Sequence, residues 1–248
     1  MKKLVIALQF WEGDRDAAMR NAVRIADNEP KFREDVIFMF VARFDCPHDI
    51  AVAKYVGQKF KTEMYTGFRR GKGWPHGCNE LWCDLMQESI RRTRSGEWEG
   101  VDGILTFEAD CVPVRRDWLD VLRKAWDEAL AQNKMVLGHW LPEPAPLGHI
   151  NGNAIFDPNI AIKLGLVGCS SETGWDFHWG PKFAPHAVKS DLIRMYYHCD
   201  GVPESWFVAP GENNGEIPAM IHGIKDGASE KYADRVLRSE KSDTFLRA

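Results

Sequence analysis

Two carboxylates, Glu108 and Asp110, stand one residue apart at the end of the apolar run Ile104-Leu105-Thr106-Phe107. Acids at alternate positions, where the chain leaves a strand, can aim their oxygens at one hard cation. Mg²⁺ or Mn²⁺ accepts one or two carboxylates and fills its remaining positions with substrate phosphates. The competing reading is a solvated strand end followed by a helix cap, and an isolated E-x-D arises by chance more often than not. A second stretch with chemistry is "FRRGKGWPHGCNELW" (68–82), where cations and glycines precede a helix start. Lys or Arg side chains and helix N–H groups can hold phosphate there, although solubility accounts for the charges as well. The Walker spacing is missing, so a P-loop is rejected.

The elements that must position these groups read as alternating strands and helices. Strands are expected over 3–9, 35–43, 103–108 and 134–141, and helices over 14–27, 47–60, 79–93 and 116–131. The near-continuous apolar run of 35–43 suits a strand covered on both faces. Alternation of this kind predicts an α/β fold with a mostly parallel sheet and helices on both faces. The second half is irregular and rich in Gly, Pro, Trp and His, a pattern that suits binding loops more than core. In open parallel sheets, ligands bind beyond the carboxyl ends of the strands, which is where Glu108 and Asp110 fall.

Composition narrows the class. The chain has 248 residues, 44% hydrophobic and 27% charged, with a net charge of −4. Its length fits a single large α/β domain over 1–248. The charge predicts no strong overall attraction to nucleic acid or to an anionic membrane. The basic opening "MKKLVIALQF" is too short in its apolar run for a signal peptide or span, so a cytoplasmic protein with no membrane partner is expected. Six cysteines at 46, 78, 83, 111, 169 and 199 make no CxxC pair, which argues against a zinc ribbon.

The unit "ILTFEADCVPVRRDWLDVLRKAW" resembles the strand–acid pair–helix unit of GT-A-fold nucleotide-sugar glycosyltransferases. The resemblance implies that Asp110 is the main metal ligand and Glu108 its partner on metal or ribose. This chain departs from the pattern in carrying Glu in place of the commoner first Asp. Three further stretches fit the same family. "KLVIALQFWEGDRDAAMRNAVRIAD" resembles its nucleotide-binding opening, which would put base and ribose near Gln9, Phe10 and Trp11; core or rim packing is the other role for the two aromatics. "HGIKDG" (222–227) resembles the late H-x-x-K segment, in which His222 would complete the metal shell and Lys225 would meet the diphosphate. "GHINGNAIF" (148–156) resembles an N-G-N-A stretch in which Asn151 and Asn153 would bond acceptor hydroxyls, with Gly152 allowing close approach; a tight hairpin turn explains N-G equally well. By the same resemblance the basic loop would face the donor, through Lys72 and Asn79.

The resemblance implies a metal-dependent glycosyltransferase that uses Mn²⁺ or Mg²⁺ and a nucleotide diphosphate donor, UDP first. Residues 1–141 would form the donor half and 142–248 the acceptor half with the metal-binding tail. An inverting enzyme also needs a carboxylate base, and "SSETGWDFHWG" (170–180) offers Asp176 first and Glu172 second, each equally able to cap a helix. Trp175 and Trp179 could stack on an acceptor or pack in the core. A saccharide or other small hydroxyl acceptor is expected first. The alternative is a hydroxymethylated base in DNA, suggested by the cation groups at 69–72, 91–94 and 115–116. A nucleotidyltransferase would open with a Gly-rich loop where this chain reads "QFWEGDRD", and a non-catalytic carbohydrate-binding module would not need the acids.

Overall fold

The computed structural model describes residues 1–141, 148–169, 172–195, 218–223, 227, 229–231, 233 and 234. Four parallel strands form half of a seven-stranded sheet: β1 (Lys3–Phe10), β2 (Arg33–Ala42), β3 (Phe60–Thr66) and β4 (Val101–Glu108). Two more strands, β6 (Val136–Leu141) and β7 (His149–Phe156), run antiparallel to one another, and β7 also runs antiparallel to β4. With β8 (Ala187–Lys189) the order is β3-β2-β1-β4-β7-β6-β8. A separate three-stranded sheet joins β5 (Val112–Pro113), β10 (Met220–His222) and β9 (Ile193–Met195).

The unbroken apolar strands follow from cover on both faces. Along β1, Leu4, Ile6, Leu8 and Phe10 meet one layer, built from α1 (Arg15–Asn28) and α4 (Trp118–Ala131). The alternate residues Val5 and Ala7 meet the other, built from α3 (His76–Ser95), the one-turn α5 (Ile160–Lys163) and α6 (Trp175–Phe183). Trp82, Trp98, Trp118 and Trp126 are among the largest fully buried side chains.

Three expectations need correction. The helix expected over 47–60 is only α2 (Ile50–Val56), because residues 60–66 form the edge strand β3. Phe60 turns fully into the core while Lys61 stays exposed, which serves an edge strand. The Asn-Gly of 151–152 makes no hairpin turn; it lies inside β7. Among the described residues of the second half, Ile150, Phe156, Ile160, Trp175, Trp179 and Phe183 build much of the second layer and are not binding loop.

Candidate metal centre and donor cavity

Strand β4 delivers Glu108 beside Gln9, its register partner on β1, so both side chains leave the sheet at the same carboxyl edge. The chain then turns, with Cys111 N–H donating to the Glu108 carbonyl at 3.1 Å, and enters β5. There Val112 and Pro113 pair with Ile221 and Met220 of β10. That pairing carries His222 to the acids. Its Nε2 lies 2.8 Å from Glu108 Oε2 and 3.2 Å from Asp110 Oδ1.

One ligand atom from each of Glu108, Asp110 and His222 lies within 4.8 Å of the others. Adjacent ligands of an octahedral Mg²⁺, each about 2.1 Å from the ion, stand about 3 Å apart. The His222 contacts match that spacing, and two carboxylates with one imidazole suit Mn²⁺ or Mg²⁺, so these residues fit a divalent cation. Burial alone would lower the His222 pKa, but the hydrogen bonds its ring donates to Asp110 and Glu108 outweigh it and hold the imidazole at about 10. A ring nitrogen wedged between two carboxylates is held by a proton or by a shared cation, and either one answers the same excess of negative charge.

Neighbouring polar side chains fix the acids. Asn153, fully buried, accepts the Glu108 backbone N–H at 2.8 Å through Oδ1. Asn151 Oδ1 accepts from the Asn153 N–H at 2.9 Å. From the other face, Asn21 on α1 donates to the carbonyl of Cys111 at 2.5 Å. Asn151 and Asn153 were expected to meet acceptor hydroxyls; at 4% and 0% exposure they instead position the acid strand. Gly152 between them faces the site: a side chain there would come within 3.6 Å of both Glu108 Oε1 and the Trp175 ring.

A cavity of 760 Å³ opens over this edge. Of the residues expected from sequence, Gln9, Phe10, Trp11, Glu108, Asp110 and Trp175 line it. Phe10 is buried core, whereas Trp11 is half exposed and lies 5.1 Å from the Arg43 guanidinium. The Trp11 ring folds over Gly13, where an added Cβ would fall 2.3 Å from it. Lining residues that sequence reasoning missed are Asp14, Arg20, Arg43, Gly73 and Trp74. Arg43 follows the end of β2, so the same strand-end logic that singled out Glu108 could have found it. Asp14 immediately precedes α1. Burial first, and then the charges of Glu108 and Asp110, push its carboxyl up to about 6, while the Trp11 backbone N–H it accepts partly opposes them.

The remaining candidates are placed differently. Lys72 reaches Asp45 at 3.0 Å and is not among the cavity-lining residues. Asn79, expected to face the donor, is not among the cavity-lining residues. It is 2% exposed, and its amide donates to the Thr173 carbonyl at 2.9 Å and accepts the Trp175 N–H at 2.6 Å, so it anchors the start of α6. The Trp175 ring stacks on Trp82 at 4.4 Å and Trp179 is 8% exposed, so both rings pack in the core. Asp176, in the first turn of α6, is likewise not among the cavity-lining residues; burial raises its carboxyl to about 6, helped by the charge of Glu108. Glu172 is exposed and does not line the cavity. Lys225 lies outside the described residues.

No family model and no curated sequence matches the chain. Solved structures do. Mouse xyloside xylosyltransferase 1, in its apo form, superposes with a TM-score of 0.52 at 11% identity, over 89% of this chain and 97% of that one. The fold is GT-A-like, that of nucleotide-sugar glycosyltransferases. S. aureus TarS superposes at 0.50 and 10% identity over 96% of this chain, which spans only 39% of TarS. A 4-diphosphocytidyl-2C-methyl-D-erythritol synthase reaches 0.48 at 11% identity over 77% of this chain and 90% of that one, too low to decide between sugar and nucleotidyl transfer. The acid pair of this GT-A-like fold sits at the end of a central strand, and among the described residues no helix is long and apolar enough to cross a membrane.

Proposed function

We propose that this chain is a divalent-metal-dependent glycosyltransferase that moves a sugar from a nucleoside diphosphate, UDP first, to an acceptor hydroxyl. The observation that carries the reading is the convergence of Glu108, Asp110 and His222, with the two acids lining a cavity on a GT-A-like fold. Those three residues would hold Mn²⁺ or Mg²⁺, which when bound neutralises charge on the departing diphosphate. Trp11 offers a half-exposed ring for the base, and Arg43 and Arg20 offer positive charge to phosphates. Residues 1–141 supply most of this donor side. In the transfer, the bond from the sugar's anomeric carbon to the diphosphate oxygen breaks and a bond to the acceptor oxygen forms. The acceptor's proton goes to Asp176, whose pKa near 6 leaves it ionised at neutral pH and poised to accept. A screen of nucleotide sugars for Mn²⁺-dependent release of nucleoside diphosphate tests the reading. Release of pyrophosphate from a nucleoside triphosphate, with no turnover of any nucleotide sugar, would instead identify a nucleotidyltransferase.

A further inference from the structure

All three cation groups of the sequence carry ion pairs in the fold, Arg69 with Asp84 and Lys72 with Asp45 among them. Arg91 pairs with Glu88 and Glu97, Arg92 pairs with Glu63 and Glu88, and Arg115 pairs with Asp117. These are local ion pairs away from the cavity lining. Only the group at 69–72 lies on the loop that forms the cavity mouth, where Gly73 and Trp74 line the opening.

That loop is built, with its acids beneath and its cations outside. Asp84, 1% exposed, accepts the backbone N–H groups of Phe68 and Arg69 at 2.8 and 3.0 Å, and also the Arg69 side chain at 2.8 Å. Glu80 accepts the Gly71 N–H from within the loop. Asp45 lies under Arg43 and Lys72. The outward side chains of Arg69 and Lys72 are 41% and 64% exposed. Aromatic rings interleave with them. Arg70 lies 4.6 Å over Phe44 and Lys72 5.4 Å over the same ring, while Arg69 lies 5.4 Å over Phe68. Phe68 is 54% exposed and Trp74 70%.

We propose that the rim from Phe68 to Trp74, with Phe44, binds a single-stranded nucleic-acid segment and presents a hydroxyl on it to the cavity. Exposed rings for bases beside cations for phosphates make up the usual surface for single strands. A neutral saccharide would use the rings and leave the cations idle, and a polyanion without bases would do the reverse. The net charge of −4 does not exclude local binding, because Arg69, Arg70 and Lys72 stand close together on this loop. The inference rests on the glycosyltransferase reading for the reaction, but not for the binding.

Fluorescence anisotropy of a labelled mixed-sequence DNA single strand, with NaCl varied, is the test. Two or three phosphate contacts on a single strand give a log–log salt slope of about −2. Arg70→Ala is expected to flatten that slope by about 0.7 and to leave Mn²⁺-dependent donor hydrolysis unchanged. Trp74→Ala is expected to weaken binding roughly tenfold with little change in slope. Unlabelled strand should compete far better than polyphosphate of equal charge. Equal competition, an unaltered Trp74→Ala affinity, or no strand binding by a protein that still binds nucleoside diphosphate would overturn the proposal and leave the donor reading standing. Strand binding without turnover of any nucleotide sugar would do the opposite.

Discussion

Replacing Asp110 by Asn keeps the side chain's size and removes its charge beside His222 and Glu108. Metal-dependent donor turnover is expected to fall by about a hundredfold or more with the fold retained, while loss of the ion pair to the His222 imidazolium lowers the melting temperature modestly in chelator. Near-normal turnover would remove Asp110 from the metal shell. Asp176 gives a prediction of stability with a definite sign. Its folded pKa is about 6 against an ordinary 3.8, so the native state disfavours the ionised form. The resulting cost is absent below about pH 4 and complete above about pH 6, where the shift corresponds to about 3 kcal/mol. Asp176→Asn should therefore be more stable than the parent at pH 8 by up to about that amount, and the gap should close as the pH falls to 4. Urea melts at both pH values, in chelator, check this. A gap of equal size at both would mean that ionisation is not its origin. At Gly13 the donor side can be probed without touching an acid. An Ala there displaces the Trp11 ring, so nucleoside diphosphate affinity should drop several-fold in calorimetry. The acid pair could be singled out in the sequence because a strand end is local information. Asp14 could not, because its role comes from α1 being laid against β4, and its own neighbours in sequence describe only a cap.

Among the elements, β7 carries more of the site than its sequence suggested. Asn153→Ala leaves the Glu108 N–H buried without its partner, a loss of about 1–3 kcal/mol. It should also weaken Mn²⁺ binding about tenfold or more by loosening the acid strand. Titration of Mn²⁺ by calorimetry, beside a denaturant melt, separates the two effects; unchanged metal affinity would reduce Asn153 to a purely structural role. The parallel half of the sheet was legible because strands buried on both faces read as apolar runs, as in β1 and β2. β3 was not, because an edge strand with one buried face shows few apolar residues, and the helix before it blurred the boundary. The N-G-N stretch was legible as polar residues that matter, but not as residues facing inward. Their burial depends on β7 lying between β4 and β6, which no local spacing reveals.

At the scale of the whole molecule, the cavity lining brings together the carboxylates Asp14, Glu108 and Asp110 and the cations Arg20 and Arg43. A cation and a nucleoside diphosphate together satisfy both kinds of charge, so Mn²⁺ with nucleoside diphosphate should raise the melting temperature more than the sum of either alone. At a hundred times the dissociation constant, binding stabilises by about 2.7 kcal/mol. A purely additive shift in a thermal melt would show that the two bind independently. His222 lies 114 residues from Glu108, and the β5–β10 pairing is what brings them together. During synthesis, then, the acids of β4 emerge long before the residue that completes their centre. Until β10 docks, the nascent chain offers a cation two carboxylates and no imidazole. If the centre takes a cation as proposed, tight capture is a late event that follows assembly of the second sheet.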